Sequence, residues 1–271
     1  QCASWNLFVP ARNLEDFREA YAGAERVFVV SQENLEKLEI NLGMRLNNVE
    51  LVCNPYGLPH SAVPTWPSDE RLSLACVGRI HFASKGQDLL VQVLRRPKWR
   101  DRNLQVVLYG NDQGNQPHLE ELIRQFDLGD KIRFGGFADD LESMWSQHHG
   151  LLLCSRYEGA AIVVVEAMMA HRLVISTDTG RNRELVDEGE AGFIAAAPTA
   201  DLIDSALEKA WQSRDRWREM GLRAGRDIRE RFPADPVGDY LGRIKRIAGL
   251  NSERGPAKSL PDSNSLKLAK A

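Results

Sequence analysis

Short strand-like runs alternate with helical patterns over most of the chain, and this alternation constrains the fold more than any other feature. Each predicted strand holds only a few, mainly apolar residues, and a helical pattern follows before the next strand. Strands joined by helices pair in parallel, because the helix returns the chain to the same end of the sheet. The sequence therefore predicts an α/β fold with a doubly wound parallel sheet and helices on both faces. From residue 72 onward the predicted strands are Leu72–Val77, Leu104–Tyr109, Ile132–Phe134, Leu151–Cys154, Leu173–Ser176 and a last one near Phe193–Ala195.

Proline divides the chain into parts. Residues 54–70 hold four of the 12 prolines and show no periodicity, which predicts an interdomain linker. Before it, residues 1–53 look like the closing part of one Rossmann-like domain, and after it residues 71–231 form a complete second one. Residues 232–250 predict a C-terminal helix that crosses back to the first domain, and residues 251–271 a disordered tail. The chain begins with Gln instead of Met, so we expect it to be the C-terminal part of a longer protein.

Composition excludes several classes of function. The formal net charge of −3 gives no support to nucleic acid as a partner. No apolar run approaches the ~20 residues of a membrane-spanning helix. The four cysteines show no metal-ligand or C-x-x-C spacing, which favours buried thiols in a reducing compartment. We therefore expect a cytoplasmic protein.

Glu166 lies in the most apolar segment of the chain, residues 160–170. A carboxylate in a helix with such neighbours loses hydration at a cost of several kcal/mol unless a partner compensates. Eight residues earlier stands Glu158, so the two acids form an E-x7-E pair across a strand–loop–helix junction. The pair indicates a bound ligand. The alternatives are that Glu158 is an exposed loop acid and that the helix is tilted so that Glu166 reaches water.

The segments that follow the strands hold further candidates, because ligands of open α/β sheets bind beyond the carboxyl ends of the strands. Arg79 and Lys85 follow the first strand of the second domain and would give a diphosphate charge-assisted hydrogen bonds. The helix that we expect to open near Ala160 adds free backbone N–H groups for the same anion, and small residues there allow close approach. The alternative for both cations is solvated surface charge.

Other patterns are weaker. The sequence has no G-x-G-x-x-G, no Walker-type loop and no D-x-D, which gives no indication of a dinucleotide, a P-loop nucleotide or a metal on a diphosphate. His148 and His149 end a predicted helix before a strand, and we interpret them as a solvated turn, not a metal site.

An ordered set of motifs resembles the retaining GT-B glycosyltransferases, and more narrowly the group whose C-terminal donor domain carries E-x7-E. The resemblance extends from about Ala24 to Tyr240 and implies two Rossmann-like domains, with a sugar nucleotide bound mainly by the second. The motifs are Val77-Gly78-Arg79, Lys85-Gly86, Leu108-Tyr109-Gly110, Ser155 to Glu158-Gly159, Glu166-Ala167-Met168 and Glu184 to Gly192.

The resemblance also implies roles for single residues. Arg79 and Lys85 would hold the diphosphate, Glu158 the hydroxyls of the donor sugar, and Glu166 those of the ribose. Arg79, Lys85 and Glu158 are thus the expected catalytic residues. The expected donor-binding residues are Gly78, Gly110, Phe134, Gly135, Gly159, Ala160, Ala161, Ile162 and Glu166, with Phe134 and Gly135 near the base and Ala160 to Ile162 near the phosphate and sugar.

The implied reaction is transfer of a glycosyl group from a nucleoside-diphosphate sugar with retained anomeric configuration, without a metal or another cofactor. The acceptor (glycan, lipid or small molecule) stays open, because the resemblance places the acceptor pocket in a region that precedes this chain. Through that region we expect peripheral association with the inner face of a membrane, and without it we expect little turnover. Two alternatives remain: a non-catalytic module that binds nucleotide sugars, and an epimerase or phosphorylase with the GT-B fold.

Overall fold

The structure is a computed structural model that describes residues 11–250. The tail expected over 251–271 and the first cysteine, Cys2, lie outside the described residues. The described chain begins with a short 3-10 turn, Ala11–Asn13, followed by a small unit of two helices and two parallel strands. The elements of this unit are α1 (Leu14–Gly23), β1 (Val27–Val29), α2 (Gln32–Leu42) and β2 (Val49–Leu51).

Six parallel strands form the main sheet, in the order β5-β4-β3-β6-β7-β8. The chain builds outward from β3 in one direction, returns, and then builds outward in the other direction from β6. The doubly wound parallel α/β sheet predicted from the sequence is therefore confirmed. The strands are β3 (Leu72–Val77), β4 (Leu104–Tyr109), β5 (Ile132–Gly136), β6 (Gly150–Leu153), β7 (Leu173–Thr177) and β8 (Gly192–Ala195).

Helices cover both faces of this sheet. Helices α4, α6 and α10 bury one apolar layer against it, and α7, α8 and the second half of α11 bury the other. The inner strands lose water on both faces, which explains their largely apolar sequences, whereas the edge strand β5 is exposed over most of its length. The helices that follow β3 are α3 (Phe82–Lys85), α4 (Gln87–Leu94), α5 (Pro97–Arg100), α6 (Gln116–Gln125), α7 (Leu141–Ser146), α8 (Ile162–Met169), α9 (Asn182–Leu185), α10 (Ala200–Gln212), α11 (Trp217–Arg231) and α12 (Pro236–Ile247), with a 3-10 turn at Arg214–Arg216.

The last helix, α12, packs against the first unit of the chain. The rings of Phe28 and Tyr240 meet edge to face with centroids 5.1 Å apart. Arg243 forms an ion pair with Glu50 on β2 and donates to the Leu51 carbonyl at 3.3 Å. These contacts tie the end of the described chain to its beginning.

Two arginines fix the segment that joins the two units. Arg172 is 1% exposed, and burial lowers its pKa to about 10. Its guanidinium donates to the carbonyls of Pro64 and Thr65 at 3.2 and 2.6 Å, and that of Arg229 donates to those of His60 and Ala62 at 2.9 and 2.8 Å. Carbonyl oxygens thus replace water around one buried and one half-buried cation. Nothing in the sequence pattern indicated this arrangement.

Two sequence-based interpretations are wrong. The apolar helix begins at Ile162 and not at Ala160, because the chain bends at residue 160 and Ala161 is extended. His148 and His149 are buried, not a solvated turn. The ring of His148 bridges the Ser73 hydroxyl and the Tyr109 hydroxyl, each at 2.9 Å, and the Ser73 N–H donates to His149 at 3.1 Å. The pair therefore joins three neighbouring strands from within.

The buried His148 makes stability depend on pH. Burial lowers its pKa from 6.5 to about 4 in the folded chain, so between these values the unfolded chain binds more protons. The free energy of unfolding should therefore fall as the pH drops from 6.5 towards 4, by about 3 kcal/mol from this residue. Urea titrations across this range should show a flatter dependence for His148→Gln than for the wild type. A matched change of the exposed His118 to Gln should leave the slope unaltered, and equal slopes for both variants would contradict the assignment.

Candidate functional site

The candidate site lies where the strand order reverses, between β3 and β6. Loops that leave these two strands in opposite directions open a crevice at their carboxyl ends. The loop after β3 carries Lys85, and the loop after β6 carries Glu158. Their side chains meet in an ion pair, with Lys85 Nζ 2.7 Å from Glu158 Oε1. The two sequence candidates are thus brought together, although 73 positions separate them.

This ion pair is largely shielded from water. The side chains of Lys85 and Glu158 are 18% and 9% exposed. The hydroxyl of the fully buried Ser155 donates to the same Glu158 oxygen at 2.6 Å. Shielding strengthens the attraction between the charges and fixes the positions of both groups. The site therefore offers an ammonium group and a carboxylate in a defined geometry.

Glycines let the backbone segments around the pair approach one another. A Cβ on Gly86 would lie 2.1 Å from the Cys154 carbonyl, and one on Gly110 would lie 2.4 Å from the Gly78 carbonyl. A Cβ on Gly78 would lie 3.3 Å from the side chain of Lys85. Gly78, Lys85 and Gly110 thus form one continuous surface at the mouth of the crevice.

Arg79 is placed differently from Lys85. Its side chain is exposed, and Nη1 donates to Gln113 Oε1 at 3.2 Å. Among the described residues, no contact joins Arg79 to the Lys85–Glu158 pair. The structure therefore brings one of the two predicted cations to the carboxylate and leaves the other at the rim.

Glu166 is buried in α8, at 8% exposure. Its Oε1 accepts a hydrogen bond from the Gly57 N–H at 2.8 Å, across from the linker. Burial raises the pKa of the carboxyl group, and the bond from Gly57 opposes this effect. Within residues 11–250, no cation lies at ion-pair distance from Glu166. The side chain is therefore neither free in bulk water nor neutralised by an arginine.

The segment Gly159 to Ile162 faces the first unit of the chain. Ala160, Ala161 and Ile162 border a small gap that Val30 and Asn54 close from the other side. The N–H groups of the first turn of α8 lie at this boundary, since the helix begins at Ile162. The first turn of α8 therefore offers backbone N–H donors at the edge of this boundary.

Phe134 and Gly135 lie at the carboxyl end of β5. Phe134 is 36% exposed, and Gly135 rests against the ring of Tyr109, where a Cβ would lie 2.3 Å from Cε1. Nearby, a cavity of about 500 Å³ opens between residues 57–59 of the linker and residues 137–142. Because Gly57 both lines this cavity and binds Glu166, the cavity adjoins the buried carboxylate.

Sequence reasoning missed three participants: Gly57, Ser155 and Arg156. Gly57 acts through its N–H, which no side-chain pattern can show. Ser155 and Arg156 stood inside a recognised motif; Ser155 bonds to Glu158 within that motif, whereas the partners of Arg156 are far away in the chain. Arg156 pairs with Asp88 through two contacts of 2.7 Å.

Residues 62–225 match the sequence profile of the family described as glycosyl transferases group 1. This match covers more than half of the chain. The chain belongs to the glycosyl transferases group 1 family. The matched region contains the segments that form the crevice, from the loop after β3 to the start of α9.

Curated relatives agree with this family. The chain is 28% identical over 184 residues to the α-D-kanosaminyltransferase of Streptomyces kanamyceticus, a match that covers 67% of the chain and 47% of the relative. It is also 28% identical over 134 residues to the phosphatidyl-myo-inositol mannosyltransferase of Mycolicibacterium smegmatis, covering 48% of the chain and 34% of the relative. The chain thus spans about half the length of the first of these relatives.

Solved structures share the fold. A glycosyltransferase from Rickettsia africae superimposes with a TM-score of 0.77 at 17% identity, covering 91% of this chain and 69% of the other. Anabaena HepE, solved in complex with UDP and glucose, gives a TM-score of 0.72 at 20% identity, covering 87% of this chain and 67% of the other. The GT-B fold expected from the sequence is therefore confirmed.

None of the helices within residues 11–250 combines the length and the apolar character needed to cross a bilayer.

The two glutamates should respond in opposite ways to loss of charge. Glu166→Gln removes a desolvated carboxylate while the amide oxygen can still accept from Gly57, so at pH 7 we expect a gain of about 1 kcal/mol in the free energy of unfolding. Glu158→Gln leaves a shielded ammonium without its anion, so we expect a loss of about 2 kcal/mol. Denaturant titration without ligand measures both. Destabilisation of equal size in the two variants would show that Glu166 is not under electrostatic strain.

Proposed function

We propose that this chain is the donor-binding part of a retaining glycosyltransferase that uses a nucleoside-diphosphate sugar without a metal ion or another cofactor. The observation that carries the proposal is the shielded Lys85–Glu158 ion pair at the point where the strand order reverses, with Glu166 buried eight residues later. In the family that this sequence resembles, the same three positions serve one ligand.

Lys85 is suited to the diphosphate. An ammonium group has three N–H donors, and Glu158 Oε1 uses one of them at 2.7 Å. The remaining donors can meet phosphate oxygens, and the low exposure of the group strengthens that attraction. Negative charge develops on the nucleoside diphosphate as the glycosyl bond breaks. Lys85, Arg79 and the first turn of α8 would stabilise this charge, which is the task a bound cation performs elsewhere.

The two carboxylates would hold hydroxyl groups. With Oε1 engaged by Gly57, the Oε2 atom of Glu166 keeps its full capacity to accept from the ribose. Glu158, fixed by Lys85 and Ser155, would accept from hydroxyls of the donor sugar. The cavity beside Phe134 and Gly135 would then receive the base. In this arrangement the acids bind and orient the donor and need not exchange protons with it.

The acceptor is left open within the proposal. The name of the Mycolicibacterium relative includes a lipid, phosphatidyl-myo-inositol, whereas the name of the Streptomyces relative gives only the transferred sugar, and this chain spans about half the length of the latter. A glycan, a lipid and a small molecule are all compatible with the described site. Peripheral membrane association and cytoplasmic location belong to the same proposal.

The nucleotide should stabilise the fold. A nucleoside diphosphate or its sugar at about 100 times its Kd adds about 2.7 kcal/mol to the free energy of unfolding. Thermal unfolding of the chain with UDP, GDP, ADP and one sugar derivative of each should show a clear rise in Tm for one base. Free phosphate and the matching nucleoside serve as controls. If none of the six nucleotides raises Tm, the chain is not a donor-binding domain.

Substitutions should separate the two acids. Glu166→Ala should weaken binding of both the preferred nucleoside diphosphate and its sugar by about 10-fold or more, because it removes a charge-assisted bond to the ribose. Glu158→Ala should weaken binding of the sugar derivative more than that of the diphosphate. Isothermal titration calorimetry measures both, with the exposed Glu219→Ala, remote from the crevice, as the control. If Glu158→Ala weakened binding of the diphosphate and of its sugar derivative equally, Glu158 would not contact the donor sugar.

A further inference from the structure

Arg156 cross-links the two loops that carry the ion pair. Its guanidinium donates to the Phe82 carbonyl at 2.6 Å and forms a two-point ion pair with Asp88, at 2.7 Å for each contact. Its own N–H donates to the Ser84 carbonyl at 2.8 Å. One residue of the loop after β6 therefore grips the loop after β3 at three places.

The gripped segment is the one-turn helix α3, of which Lys85 is the last residue. A helix this short leaves most of its carbonyl groups without partners inside the helix. Arg156 supplies donors to two of its carbonyl groups, those of Phe82 and Ser84. Gly86 and Asn115 also bond to Phe82, at 3.1 and 2.8 Å, so Arg156 adds to a small set of contacts that hold a turn too short to be stable alone in water.

The start of α4 gives α3 a further anchor. Asp88 stands in the first turn of α4, and its neighbour Gln87 is 1% exposed. The Gln87 amide donates to the Arg79 carbonyl at 2.8 Å and accepts from the His81 N–H at 3.2 Å. Arg156, through Asp88, thus connects the loop of Glu158 to the base of the loop that carries both predicted cations.

We infer that Arg156 is a positioning residue for donor binding: by holding α3, it fixes Lys85 Nζ at Glu158 before any ligand arrives. It acts through Lys85 and touches no substrate in this inference, which rests on the proposed function. A planar guanidinium can bind a carboxylate at two points and a carbonyl at the same time, whereas a lysine ammonium cannot reproduce that fork. Arginine is therefore required at this position.

The first test uses binding of UDP, GDP and ADP to the whole chain. Arg156→Gln should raise the Kd of the preferred nucleotide by about 10-fold or more, because small displacements of a binding group are costly. In a Lys85→Ala background the same change should alter Kd less than about 2-fold, since the group it positions is absent. Arg156→Lys should fall between the wild type and Arg156→Gln. Equal losses in both backgrounds, or no loss in the wild-type background, would overturn the inference.

A matched control separates positioning from general stability. Arg102 also forms a two-point ion pair, with Glu208 at 2.7 and 2.9 Å, and its side chain is shielded to a similar degree as that of Arg156. It precedes β4, at the opposite end of the sheet from the crevice. Arg102→Gln should lower Tm without raising the nucleotide Kd. If Arg102→Gln raised the nucleotide Kd as much as Arg156→Gln, loss of any two-point ion pair would weaken binding, and the positioning role of Arg156 would be rejected.

The second test needs no nucleotide. Acetylation of Lys85 by an amine-reactive ester, followed by peptide mass spectrometry, reports whether its ammonium group is still held by Glu158. Arg156→Gln should raise the labelling rate of Lys85 several-fold, and Arg102→Gln should leave it unchanged. An unchanged rate in Arg156→Gln would overturn the inference even where nucleotide binding is intact. A raised rate in a chain that binds none of the three nucleotides would support the positioning role and reject the proposed function.

Discussion

The order of the strands is the constraint on which the site depends. Because β3 and β6 are neighbours although 72 residues lie between the end of β3 and the start of β6, the loops that leave them run side by side at one end of the sheet. Two oppositely charged side chains from these loops then meet at 2.7 Å. A parallel sheet with any other order would send the loops apart. The chemistry of the crevice is in this sense a product of the topology, and the side chains only select what the crevice binds.

Buried charge is handled in three ways in this molecule. Lys85 and Glu158 neutralise each other, Arg172 is surrounded by carbonyl oxygens, and Glu166 has a single N–H from the linker. The second arrangement satisfies the ion, so it serves the fold on its own, whereas Lys85 keeps N–H donors that a ligand can use. The third leaves the carboxylate with one oxygen uncommitted. This uncommitted oxygen of Glu166 can accept a hydrogen bond from a ligand, and for that reason the proposed function places the ribose there.

The sequence predicted the parts of the structure that depend on local pattern. The bounds of β3, β4 and α7 agree with the predicted ones, since short apolar runs define the strands and helical spacing of apolar residues defines the helix, both locally. The strand order could not be obtained from that pattern, nor could the burial of His148, whose partners lie on strands remote in the chain. Lys85 and Glu158 were named as candidates from motif order, but their direct contact, and the brace from Arg156, required the folded structure. The role of Gly57 could not be predicted, because it acts through a backbone N–H that every residue except proline carries.

The arginine contacts to the linker have a consequence for how this chain can vary. Arg172 and Arg229 recognise the carbonyl groups of residues 60–65, and every amino acid carries the same carbonyl. The main-chain path of residues 60–65 is thus held in part by two residues outside the connector, through groups that do not depend on side-chain identity. Exposed positions such as Val63 and Thr65 can therefore diverge without altering this path, as long as both guanidinium groups are retained, whereas the buried Ala62 and Pro64 are constrained by their packing.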